Sequence, residues 1–95
     1  MTIYDQIAAK IIKEQELLMG PMAWYEAGKV KGLNIKDKEK GLVIIDQNTD
    51  GNLVVDNLVD RFGQLFGRAG REVCKEAVGS LIAELKPSQI PNTLK

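Results

Sequence analysis

The stretch DGNLVVDNLVDRFGQLFGRAGREVCKEAVGSLIAELK, Asp50 to Lys86, decides the fold of this chain. Apolar residues recur through it at helical spacing: Val54, Val55, Leu58, Val59, Phe62, Leu65, Phe66, Ala69, Val73 and Ala77, continued by Leu81, Ile82 and Leu85. Read as one unbroken helix, the stretch would be about 55 Å long at roughly 1.5 Å per residue. A compact chain of about 100 residues has a radius of gyration of only about 13 Å. The helix therefore either breaks, or projects and packs on another chain. Gly63, Gly67, Gly70 and Gly79 are its weak points, and Pro87 ends it.

Three of those glycines form a row. Gly63, Gly67, Gly70 and Cys74 fall within about 60° of one another on a helical plot. They border the apolar side that carries Phe62 and Phe66. Each glycine weakens a helix by roughly 0.8–1 kcal/mol relative to alanine, so the row needs a reason. Close approach of a second helix is one reason, and a break between Gly67 and Gly70 is the other. The row Gly63, Gly67, Gly70, Cys74 with Phe62 and Phe66 is thus the candidate packing or oligomer interface. The packing partner is either the first helix of the same chain or another subunit.

Upstream, Thr2 and Asp5 give a helix N-terminus, and Ile3, Ile7, Ile11 and Leu18 share one face. A helix is expected from Thr2 to Met19, ended by Gly20-Pro21. Pro21 also suits the first position of a second, short helix that Gly32 would stop. Its Trp24 should anchor the corner, and Trp24 with Tyr25 could line an apolar pocket together with Phe62 and Phe66. "LNIK" and "GLVIID" then read as two strands around the charged turn "DKEK". A lone hairpin is marginal in water. The second strand, Leu42 to Ile45, has no polar face and asks for cover on both sides.

Between that strand and the long helix lies "DQNTDGNLVVDN", Asp46 to Asn57. Asp46, Asn48, Asp50, Gly51 and Asn52 follow the first half of an EF-hand loop. Asn57 stands where the bidentate glutamate is needed, and a strand rather than a helix precedes the loop. The same residues serve as an exit from a strand into a capped helix, which is the reading adopted. No metal is expected there.

Composition sets the outer limits. The chain has 95 residues, with 13 Lys plus Arg against 13 Asp plus Glu, and hence zero net charge. Nucleic-acid binders usually carry a basic excess, which disfavours that class. Lys29 to Lys40 is the one lysine-dense segment, and it gives a weak nucleic-acid or anion contact as the third-ranked reading. Arg61, Arg68, Arg71 and Lys75 alternate with Asp60, Glu72 and Glu76, which reads as a solvated face of ion pairs. There is one cysteine and no histidine. A Ser-His-Asp or Cys-His constellation is therefore excluded. With Arg68, Arg71 and Lys75 close to it in sequence, Cys74 is read as a small buried residue. Neither a membrane span nor a signal peptide is read, and a cytoplasmic protein is the default.

These readings combine into an α+β domain over residues 1–86, ordered helix, helix, strand, strand, long helix, with an extended tail at 87–95. The hairpin packs on the helices and is completed by dimerisation. The expected function is non-enzymatic: an interaction or oligomerisation module, as a regulatory or scaffold subunit, whose partner is a second copy or another protein. A small-molecule sensor with an apolar pocket is the alternative. No cofactor is expected.

Overall fold

The computed structural model describes residues 2–95. Helix α1 runs Ile3–Met19, α2 Met22–Ala27 and α3 Gly51–Ile82, with strands β1 (Leu33–Asp37) and β2 (Leu42–Ile45) between α2 and α3. The α+β architecture expected from the sequence is present.

Helix α1 begins in a reciprocal cap. Thr2 Oγ1 accepts from the Asp5 amide at 3.2 Å, and Asp5 Oδ2 accepts from the Thr2 amide at 2.9 Å. The other carboxylate oxygen, Oδ1, accepts from the Ile45 amide at 2.8 Å. One buried carboxylate thus satisfies amides of both helix and strand, and it docks β2 against the start of α1. At the other end, Gly20 takes φ +66° and the chain turns into α2. Trp24 is buried there, and its indole N–H donates to Glu16 Oε2 at 2.8 Å, so the expected corner is pinned from both helices. Helix α2 stops at Ala27, earlier than Gly32. The Lys29 and Val30 amides bond back three residues, to Glu26 and Ala27, in tight turns that lead into β1.

The strands pair antiparallel, with Leu33 opposite Ile45 and Ile35 opposite Val43. Leu33, Val43 and Ile45 are buried, whereas Leu42 and Ile44 face outward and remain more than a third exposed. The apolar run of β2 is therefore covered on one side by this chain.

The long helix is broken. Gly67 sits at φ +60°, ψ −141°, a conformation that essentially only glycine adopts. It divides α3 into a first arm, residues 51–66, and a second arm, residues 68–82. A straight helix of 32 residues would span about 48 Å. The molecule measures 32 × 27 × 20 Å, and the fold-back at Gly67 is what makes α3 fit. Helix α1 lies along both arms. Val54, Val55, Leu58, Val59 and Phe62 of the first arm join Ile7, Ile11 and Ile12 of α1 in the core.

The tail, expected to be extended, forms two single-turn 3-10 helices, Pro87–Gln89 and Asn92–Leu94. It is tied down by polar bonds. Tyr4 Oη and Asn52 Nδ2 both donate to the Gln89 carbonyl, at 2.7 and 3.1 Å. Asp56 accepts from the Thr93 amide at 2.9 Å and from its hydroxyl at 2.6 Å. Leu94 and Pro91 close the core over the start of the first arm. Composition signalled a chain unable to form regular structure; it did not signal that 3-10 turns could dock.

Candidate interaction surface at the elbow of the long helix

The expected glycine row meets at the elbow, and its members divide by role. Gly67 makes the turn itself; a Cβ there would meet nothing within 4 Å, so its backbone conformation alone demands glycine. Gly70 is a close approach. A Cβ on it would stand 2.8 Å from the Phe62 carbonyl oxygen, where a side chain cannot fit without moving backbone. Gly63 leaves room for the Arg71 side chain, which crosses from the second arm and reaches Asp60 at 3.5 Å. The two origins considered for the row, a break and close packing, thus occur together. The helices brought close are the two arms of α3.

Helix α1 completes the seat. Gln15 is fully buried, and its Nε2 donates to the Gly70 carbonyl at 2.8 Å and to Cys74 Sγ at 3.3 Å. Gln15 Oε1 has no hydrogen-bond partner among the described residues. Burial pushes the Cys74 thiol up from its ordinary 9.0 to about 11, against the opposing pull of the Gln15 amide and the Arg71 charge. Cys74 is a protonated, closely packed group at neutral pH.

Around this seat the surface is apolar. A groove of about 390 Å³ runs between α1 and the second arm, lined by Leu17, Leu18, Val73 and Ala77, with Lys10, Glu14 and Glu76 on its rim. Leu17 is 79% exposed and Leu18 52%. At the elbow, Leu65 and Phe66 are each 43% exposed, and Ala69 is exposed beside them. Phe66 adjoins Gly70, and Gly70 is bonded to Gln15 one turn before Leu18. Leu17 and Leu18 thus line the groove, and Leu65 and Phe66 are exposed at the elbow. Comparison with protein-family models, with curated proteins and with solved structures returns no match for this chain. The surface has to be read from its own chemistry.

The remaining sequence-derived sites are distributed elsewhere. Trp24 and Phe62 are core residues, whereas Tyr25 is 65% exposed, and Phe66 lies on the outside of the elbow. These four side chains do not converge on one pocket. Asp46 Oδ1 accepts from the Asn48 amide at 2.9 Å and Asp50 Oδ1 from the Asn52 amide at 3.0 Å, so both carboxylates act as turn and cap. Asn48 is exposed in the same turn.

On the basic side, Arg61 turns away from its helical neighbours to Glu26 of α2. Its Nε donates to Oε1 at 2.9 Å, and Nη2 reaches the same oxygen. This guanidinium holds the Glu26 carboxyl below its ordinary 4.5; burial opposes the shift and Lys29 adds to it. Lys29 lies 4.5 Å from the centre of the Tyr25 ring. None of the described helices is long and apolar enough to cross a membrane.

Gln15 was the residue missed. On the plot of α1 it falls between Ile11 and Ala8, inside the apolar arc. A polar side chain at a core position was the available signal.

Proposed function

We propose that this chain is a non-enzymatic interaction module that associates with a second copy of itself through the apolar end where α1 meets the elbow. The carrying observation is the exposure of Leu17 and Leu18 at a groove lined also by Val73 and Ala77, with Leu65 and Phe66 exposed at the elbow. Large apolar side chains gathered at one place mark interaction surfaces more often than side chains scattered singly. Zero net charge supports the reading, because like molecules then carry no strong mutual repulsion. The outward pair Leu42 and Ile44 on the hairpin supplies a second, smaller apolar strip for a partner.

Light scattering across a concentration series tests the proposal. The mass should rise from the 10.5 kDa chain towards twice that value. Replacing Leu17 and Phe66 together by Lys should hold it at the single-chain value, with unchanged far-ultraviolet circular dichroism. A mass that never rises in the unmodified protein overturns the reading.

A further inference from the structure

We infer that the free edge of β1 receives an extended acidic segment of a partner protein, which adds a strand to the hairpin and meets the lysines around it. This goes beyond self-association and does not rest on it. It gives a role to the lysine-dense segment Lys29 to Lys40.

The hydrogen bonds of the hairpin identify the free edge. The Asp46 amide donates to the Gly32 carbonyl at 2.8 Å. From there the register continues with Leu33 opposite Ile45, Asn34 opposite Ile44 and Ile35 opposite Val43. Bonded pairs alternate along an antiparallel ladder, so Asn34 and Ile44 bond to each other, whereas Leu33, Ile35, Val43 and Ile45 turn their backbone groups outward. Two bonds agree with this pattern. The Leu33 amide donates to the Val30 carbonyl at 3.2 Å, and the Ile45 amide to Asp5 Oδ1 at 2.8 Å. The outer edge of β2 is thus closed at Ile45 by a carboxylate of α1. The outer edge of β1 has no such closure at Ile35. Strand β1 pairs with β2 alone, and the Ile35 amide donates to no turn or loop carbonyl among the described residues. An extended chain laid along β1 would take up both the amide and the carbonyl of Ile35.

The charges around this edge select the partner's side chains. Lys31, Lys36, Lys38 and Lys40 are exposed and make no ion pair among the described residues. Most nearby acids are engaged. Asp37 Oδ1 accepts from the Glu39 and Lys40 amides at 3.0 and 3.2 Å, and Glu26 is held by Arg61 and Lys29. Glu39 is the one exposed acid of the segment. The register shifts between Ile35 and Asp37, which leaves Lys36 without a direct partner on β2. Lysine on an edge strand discourages pairing with like copies. Two β1 edges side by side would gather the lysines of both molecules. The same lysines favour an acidic strand, because opposite charges on facing strand residues attract. Asn34 and Lys36 are exposed and Ile35 is half-buried. Side chains alternate along the added strand, so acids beside Asn34 and Lys36 flank an apolar residue opposite Ile35. The sequence recognised is acid, apolar, acid.

Titration of the nitrogen-15-labelled full chain with a blocked Glu-Glu-Val-Glu-Glu peptide tests the proposal. The Ile35 amide should show the largest saturable downfield shift and should slow in hydrogen exchange. Methylation of the peptide's valine nitrogen should abolish the effect, because it removes the donor to the Ile35 carbonyl. The same peptide with Lys in place of Glu should not bind. Lys36→Glu should weaken the acidic peptide about fivefold while the Asp46 amide stays protected, which shows the hairpin intact. Unaltered affinity after nitrogen methylation, or shifts at the lysines without one at Ile35, would reveal general charge attraction and overturn strand addition. Tighter binding of a single-stranded oligonucleotide of equal charge would overturn the choice of a protein segment. No saturable shift at Ile35 with millimolar peptide overturns the proposal outright, whatever mass light scattering gives.

Discussion

The two arms of α3 are held by different physics, although one helix assignment covers both. The first arm presents Val54, Val55, Leu58, Val59 and Phe62 to the core. Its attachment is a matter of apolar area, at about 1.5–3 kcal/mol for each such side chain fully removed from water. The second arm presents Gly70, Cys74 and Val78. Cys74 and Val78 join the core with Ala77, Leu81 and Ile82 packed partly buried beside them, and the arm adds close fit and one side-chain amide, that of Gln15. Area tolerates small displacements, whereas a fit between backbones does not. The first arm is consequently held by the larger buried side chains, and the second by smaller ones and a closer fit.

The comparison can be broken most forcefully at Phe62. Phe62→Ala should cost about 3–5 kcal/mol and lower the stability of the whole domain, read by chemical denaturation. Gly70→Ala should cost about 1–3 kcal/mol, because the Phe62 carbonyl cannot give way. Its effect should be local: amide exchange should accelerate across residues 71–82 while Val55–Phe62 remain protected. Equal acceleration in both arms would show them to be one cooperative unit.

Cys74 gives a pH-dependent version of the same contrast. Its folded pKa is raised, so the protonated thiol is favoured by folding. Stability is complete below 9.0 and declines as pH rises towards about 11. The loss should reach about 3 kcal/mol, and Cys74→Ala should flatten the alkaline limb.

Gln15→Met removes one amide donor together with an acceptor that lacks a partner. The two effects should offset to within about 1 kcal/mol. A larger loss, confined to the second arm, would show that the amide rather than the small-residue fit holds the seat.

The smallest effect belongs to Glu26, bonded to Arg61 of the first arm. Its pKa is lowered, so its contribution is present above 4.5 and is lost as pH falls through the lower folded value. Glu26→Gln should reduce the acid-side slope of stability and leave the alkaline limb untouched.

Local signals in the sequence were strong wherever one residue type answers one local need. Thr2 and Asp5 form the expected reciprocal cap, Gly20-Pro21 turns the chain, and Trp24 holds the corner. Asp46 and Asp50 turn and cap. The candidate interface was legible as a row of small residues, but its partner was not. Gly70 faces Phe62 only because Gly67 has folded the helix back, and helical periodicity cannot register a single residue of different conformation. The docked tail was hidden for a related reason. Its bonds to Tyr4, Asn52 and Asp56 join residues far apart in sequence.

The sequence by itself determined the element order, the helix caps, the hairpin and the places where the long helix was weak, because these follow from interactions within a few residues. Only the tertiary structure decided which glycine breaks α3, which face of each arm is buried, and which apolar residues stay outside. Those outcomes depend on a competition for one limited core. The first arm gives it the larger side chains, and the second arm gives it Cys74 and Val78 beside Gln15.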